Sequence, residues 1–338
     1  MTAKQNLLDD KVVLVTGGTG SFGHCFTWYV LTHYRPRKLI IYSRDEFKQF
    51  TMSQEDIYRE HESQMRFFIG DVRDSARLTR AMEGVDYVVH AAALKQVPAC
   101  EYNPTEAIRT NVNGAENVIN AALDTGVRRV VALSTDKAVN PVNLYGATKM
   151  VSDKLFIAAN AYAGAKDINF SIVRYGNVAG SRGSIIPVFK HALETGAPEL
   201  GITDKRMTRF WISLPEGVEL VLKALGEAKG GETFISKIPS FRITDLAEAM
   251  APGYPVREIG IRPGEKLDEV MITPEDAPFT YEYDRHFIVY PQVTYNERQV
   301  PDTSGKKVPE GFSYSSGNNK EWLSVEDLRR RLPEAVDH

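Results

Sequence analysis

The sequence predicts an α/β protein, a doubly wound parallel sheet followed by a smaller C-terminal α/β domain. Short β-branched runs alternate with helical stretches through the first half of the chain. The runs are apolar nearly throughout rather than at every second position, which is what strands buried on both faces require. The stretches between them are long enough for crossover helices, and strands alternating with such helices build a parallel sheet.

The first run starts at Val12 (VVLVTGG) and ends in Thr16-Gly17-Gly18-Thr19-Gly20-Ser21-Phe22-Gly23. Gly17 permits the tight turn, Gly20 lets backbone approach a pyrophosphate, and Gly23 lets the next helix pack close. Thr19, Ser21 and Phe22 complete the turn, and the helix N-terminus offers its free N–H groups to the anion. A glycine pattern alone is weak, but this one follows a strand and opens a helix, the context a dinucleotide site needs. The second run, KLIIYS from Lys38, leads into Tyr42-Ser43-Arg44-Asp45 with Lys48 one turn on. An enzyme for NAD places a carboxylate there and one for NADP a cation. Ser43, Arg44 and Lys48 therefore point to NADP, the alternative being a solvated Arg44 with Asp45 on an NAD ribose.

The third run, MRFFIGD from Met65, ends beside Asp71-Val72, placed to flank the adenine. The fourth, YVVHAAA from Tyr87, gives in Ala91, Ala92 and Ala93 a surface poor in side chains for a cofactor to lie on, with Lys95 following. Apolar positions at helical spacing predict a helix over 104–125. The fifth run, RVVALST from Arg129, leads into Ser134-Thr135-Asp136-Lys137 and then Tyr145-Gly146-Ala147-Thr148-Lys149. Tyr145 and Lys149 share one face of a helix, so the ammonium is expected to lower the phenol pKa from about 10 and to bind the cofactor ribose. A phenolate there takes a proton from a substrate hydroxyl while a nicotinamide takes hydride from the same carbon, with Thr135 as hydrogen-bonding partner for that hydroxyl. The sixth run, FSIVRYGNV, starts at Phe170.

The pattern then loosens. More Pro, Gly and charge appear around 180–201 and after 230, with short helical elements such as ITDLAEAMA and VEDLRRRL. These parts read as a substrate domain over the strand ends. Residues 1–178 with 208–233 are assigned to the cofactor domain and 179–207 with 234–338 to the substrate domain. The segment 273–317, rich in Pro, Tyr and Asp, reads as irregular.

Bulk properties exclude several classes. Lys plus Arg (41) and Asp plus Glu (44) are dispersed for a formal net charge of −3, which argues against a nucleic-acid binder. Cys25 and Cys100 are too few for a disulfide framework and lack ligand spacing, the seven histidines show none either, and no metal is expected. No apolar run approaches the ~18 residues of a membrane span. MTAKQNLLDDK has no apolar signal-peptide core, so a cytoplasmic protein is expected.

The motifs TGGTGSFG, YSRDE, RFFIGDVRD, HAAALK, STDKAVNPVNLYGATK, RYGNVAGSRGS, ITDKRMTRFWI, IGIRPGEKLDEVMI and YSSGNN span almost the whole chain. Together they resemble the extended short-chain dehydrogenases of the Rossmann type that modify nucleotide sugars. More narrowly, they resemble the inverting UDP-N-acetylglucosamine 4,6-dehydratases. The resemblance implies NADP as cofactor, UDP-N-acetylglucosamine as substrate, Asp136, Lys137 and Tyr145 as catalytic residues, and a homo-oligomer. It implies substrate contacts at Lys95, Asn177, Arg182, Met207, Thr208, Arg209, Arg262 and Glu265, the arginines around the diphosphate. Retaining relatives carry Asp-Glu where this chain has Asp136-Lys137. As a base at C-5, Lys137 must be neutral, so its pKa is expected to fall below about 10.4. A retaining dehydratase, a UDP-sugar 4-epimerase and a non-catalytic NADP sensor are the competing readings.

Overall fold

The computed structural model describes residues 6–180, 184–293, 302 and 304–333. The six apolar runs form six parallel strands: β1 (Val12–Thr16), β2 (Lys38–Ser43), β3 (Met65–Ile69), β4 (Tyr87–His90), β5 (Arg129–Thr135) and β6 (Asn169–Tyr175). They lie in the order β3-β2-β1-β4-β5-β6 within a ten-stranded sheet. Thr16 is opposite Tyr42 on one side and His90 on the other, so the order reverses between β1 and β4. Ligands of such sheets bind at this reversal, outside the carboxyl ends of the strands.

The reason the runs are apolar throughout is visible in the core. Val13 and Val15 enter one hydrophobic cluster while Val12 and Leu14 enter another on the opposite side of the sheet. A third cluster, including Ile186, Phe189, Trp211, Phe241, Leu246 and Leu328, draws on segments assigned to the substrate domain and on Trp211 from the stretch assigned to the cofactor domain.

Two expectations are corrected. The segment 273–317 contributes strands Thr280–Glu282, His286–Val289 and Lys306–Lys307, which extend the main sheet with antiparallel pairing. His286–Val289 pairs with Thr233–Ser236, which runs parallel to β6. These strands are too short to show a period, and their pairing is long-range. The stretch 104–125 is not one helix. Helices Pro104–Ile108 and Gly114–Thr125 flank a π-helical turn at Arg109–Asn113. Inserted turns of this kind cluster at functional sites, and this one turns Asn111 inward. Its amide donates to Leu94 O and Thr148 Oγ1, and Leu94 N donates to its Oδ1.

Candidate active site

A cavity of about 860 Å³ opens along the carboxyl ends of the strands. One end is built from the turns after β1, β2, β3 and β4. Gly17 has φ +67, and a Cβ there would sit 2.9 Å from Ala92 Cα, so only glycine fits. A Cβ on Gly23 would meet Gly18 O at 2.2 Å. Helix α1 (Ser21–His33) starts at Gly20 with no side-chain cap and no acidic residue in its first turn. Its N–H groups and positive dipole end therefore remain available to an anion. Thr16 ties the turn to its neighbour through a hydrogen bond between its Oγ1 and His90 Nδ1 (2.8 Å) and by accepting from Ala92 N (3.2 Å). His90 is fully buried, and burial, with Lys149 adding, pushes its pKa down to about 3.

Beyond β2, Ser43 Oγ pairs with Thr19 Oγ1 at 2.8 Å. Arg44 and Lys48 line the cavity with 58% and 49% of their side chains exposed. Asp45 does not line it. Its carboxylate accepts from Lys48 N and caps helix α2 (Glu46–Ser53). Asp71 is held below the usual carboxyl range: burial opposes ionisation, but hydrogen bonds and charge from Arg73 outweigh it, and Arg44 at 3.9 Å adds. Ser21, Phe22, Val72, Ala91, Ala93 and Lys95 also lie on this wall. Glycines that a Cβ would fill and a bare helix N-terminus fit the pyrophosphate of a dinucleotide.

The other end is charged and buried. Tyr145 and Lys149 stand on one face of the helix Leu144–Tyr162, which Asn143 caps through its side chain. The expected lowering of the phenol is not found. Burial pushes Tyr145 up to about 12; Lys137 and a hydrogen bond from Thr135 work the other way, and Asp136 and Asp153 reinforce burial. Lys149 is itself pushed down by burial, with Asp153 opposing. The second correction concerns Lys137. Burial alone would lower its pKa, but Asp136 and then Glu269 outweigh it and hold the ammonium above the usual lysine range. Its Nζ donates to Asp136 Oδ1 at 3.1 Å and Asn177 Oδ1 at 2.9 Å, and lies 3.4 Å from Glu269 Oε1.

Asp136 is 0% exposed and lies behind the wall, accepting from Thr135 Oγ1 at 2.8 Å. Its Oδ2 has no hydrogen-bond partner. Glu269 lines the cavity, yet sequence reasoning did not select it although it falls inside the motif IGIRPGEKLDEVMI. Nothing local marks a glutamate that folding brings back to Lys137.

Asn177, Met207, Arg209, Arg262 and Glu265 line the same cavity. Arg209 is committed within the protein, donating to Thr208 O and Leu267 O and lying 3.8 Å from Glu269. Thr208 is not on the wall, because its hydroxyl is engaged by Asp268 and Ser316 inside the domain. Arg182 lies outside the described residues. The turn carrying Arg262 docks on the Tyr145 helix: Asn143 donates to Gly264 O at 2.8 Å and Lys266 to Val139 O at 2.6 Å. A Cβ at Gly264, whose φ is +82, would meet Asn143 Cβ at 2.9 Å. Among the described residues no cluster of His, Cys, Asp and Glu could hold a metal ion, and no helix is long and apolar enough to cross a membrane.

Comparison with known proteins places this geometry in context. The polysaccharide biosynthesis protein family matches residues 13–291. UDP-N-acetylglucosamine 4,6-dehydratase (inverting) of Campylobacter jejuni subsp. jejuni serotype O:23/36 is 53% identical over 95% of this chain and 97% of its own length. UDP-glucose 4-epimerase of Rickettsia prowazekii is 41% identical over 96% of this chain and 95% of its own. The X-ray structure of Pen from Bacillus thuringiensis superposes with a TM-score of 0.86 at 37% identity, covering 97% of this chain and 99% of that one.

Proposed function

The chain belongs to the polysaccharide biosynthesis protein family, on the fold of the extended short-chain dehydrogenases, and on that premise we propose that it is an NADP-dependent UDP-N-acetylglucosamine 4,6-dehydratase that inverts C-5. The product is UDP-2-acetamido-2,6-dideoxy-β-L-arabino-hexos-4-ulose, with loss of water. One observation carries the reading: Lys137 and Glu269, with Asp136 paired to Lys137 just behind the wall, border the cavity that also holds Tyr145 and a dinucleotide cradle. A simple oxidation or 4-epimerisation needs the tyrosine and the cradle but has no use for that group.

Several features support NADP over NAD. Ser43, Arg44 and Lys48 line the place where a ribose phosphate would lie, while Asp45 caps α2 away from the cavity and Asp71, which lines it, is paired with Arg73 and Arg44. The dinucleotide, when bound, accepts a hydride from C-4, returns it to C-6, and brings a positive charge in its oxidised form.

The protein's own residues handle protons. Tyr145 takes the proton of the C-4 hydroxyl, with Lys137 and Thr135 favouring its anion against burial. Oxidation at C-4 makes the C-5 proton acidic, because it then lies α to a ketone. Asp136 passes a proton to the departing C-6 hydroxyl; its carboxylate receives that proton from Tyr145, which has just taken one at C-4, through the Thr135 hydroxyl that links the two. Contacts of this kind tighten when substrate is in place. Arg262, on its docked turn in the cavity wall, supplies a guanidinium fork for the UDP diphosphate.

Proton NMR of the reaction with UDP-N-acetylglucosamine in deuterated water tests the assignment. The expected product has lost the C-6 hydroxyl, carries deuterium at C-5 and has the L-arabino configuration. A product with the D configuration at C-5 makes the enzyme a retaining dehydratase. A C-4 epimer that keeps its C-6 hydroxyl makes it a 4-epimerase, the activity named for the Rickettsia relative.

A further inference from the structure

Two parts of the chain far apart in sequence are fastened together where the helix Leu144–Tyr162 begins. Asn143 caps that helix: its Oδ1 accepts from Gly146 N at 2.7 Å and satisfies one of the free N–H groups of the first turn. The other half of the same amide, Nδ2, donates at 2.8 Å to Gly264 O, in the turn that carries Arg262. An amide side chain accepts on one side and donates on the other, so both bonds are made at once. The fit around it is close. A Cβ at Gly264 would stand 2.9 Å from Asn143 Cβ and 3.4 Å from Val97 Cγ1. Lys266 pins the far end of the turn by donating to Val139 O, directly after the Asp136–Ala138 turn. Gly146 packs so tightly on Lys137 that a Cβ there would meet its carbonyl oxygen at 2.1 Å. Asn143 is half-buried and does not line the cavity, whereas Tyr145, two residues on, and Arg262 both do.

We propose that Asn143 is a positioning residue that fixes the spacing between the Arg262 guanidinium and the Tyr145 phenol, an assignment that rests on the roles given above to Arg262 at the diphosphate and Tyr145 at C-4. A grip on the diphosphate brings the C-4 hydroxyl to the phenol only if both protein groups belong to one rigid body. Asn143 joins them through a single side chain, because the amide that starts the helix also holds the turn. Reacting geometry is sensitive to such spacing: a misplacement of about 1 Å costs about 10²-fold in rate.

The test separates the two halves of the amide. Asn143→Ser and Asn143→Asp each keep an oxygen that caps the helix, but neither donates to Gly264. The serine oxygen stands where Cγ stood and falls short, and the aspartate sets a carboxylate against the carbonyl. The holoenzymes are compared for kcat and KM with UDP-N-acetylglucosamine, for UDP affinity by calorimetry and for melting temperature. In both variants kcat falls by about 10²-fold, while KM, UDP affinity and melting temperature stay near wild type. A double-mutant cycle with Arg262→Ala supplies the readout that a merely structural role would not move. Without the guanidinium there is no spacing to keep, so Asn143→Ser costs little further kcat/KM in that background. Should Asn143→Ser fail to fold, Asn143→Asp carries the same cycle. Wild-type kcat in either variant, or equal losses in the two backgrounds, overturns the assignment. A wild-type protein that yields the C-4 epimer in place of a 4-keto-6-deoxy product removes the dehydratase reading and leaves Asn143 its role, since both reactions begin with a held diphosphate and oxidation at C-4.

Discussion

At the dinucleotide end, Gly17, Gly20 and Gly23 come from one turn, and the cations Arg44 and Lys48 stand half in solvent. At the chemical end, the adjacent Asp136 and Lys137 meet Asn177, Arg209 and Glu269 from three other parts of the chain, and the group is largely withdrawn from water. The first arrangement binds a phosphate group with backbone and screened charge, so each side chain acts nearly alone. The second places charges where water cannot compensate them, so each sets the protonation of the others. A residue at the dinucleotide end is expected to tune affinity, whereas one at the chemical end is expected to alter both reaction and stability.

The largest effect predicted from that contrast follows Lys137→Met. It leaves Asp136 and Glu269 as buried carboxylates without their shared cation, a loss of about 3–5 kcal/mol. Elimination should also fall by about 10²–10⁴-fold. Urea unfolding and product formation measure the two separately. A variant of unchanged stability would mean that the charges at this end are not mutually dependent, and the contrast would break.

Arg44→Ala tests the opposite end. Loss of one charged hydrogen bond should weaken NADP by about 1.5–3 kcal/mol while NAD affinity and melting temperature stay near wild type. Calorimetry on protein stripped of cofactor measures it. Equal weakening of both cofactors would show that Arg44 supports the loop rather than reading the phosphate.

A third test sharpens the comparison, because it concerns a buried titratable group of the dinucleotide end. Burial, with Lys149 adding, pushes the His90 pKa down to about 3 from its ordinary 6.5. A depressed pKa means that the unfolded chain binds the extra proton first, so the stability from neutral His90 is full above pH 6.5. It is lost as pH falls towards 3, at up to about 1.4 kcal/mol per pH unit. Denaturation midpoints across this window should separate wild type from His90→Gln, whose curve lacks that contribution. Parallel curves would place the acid sensitivity elsewhere.

The sequence by itself determined the six parallel strands, the glycine turn, the cation after β2 and the Tyr145–Lys149 pair. Each is local: a strand buried on both faces writes an apolar run, a turn at φ +67 demands glycine, and residues four apart on a helix share a face. Tertiary structure alone decided the antiparallel edge at 280–307, the π-helical turn that aims Asn111, the withdrawal of Asp136 behind the wall and the arrival of Glu269 beside Lys137. It also reversed both expected shifts, raising Lys137 and Tyr145 rather than lowering them. The physical reason is the same in each case. A pKa is set by burial and by the charges nearby in space, and for Lys137 one of those charges belongs to a residue on a distant segment of the chain, which no local pattern can announce.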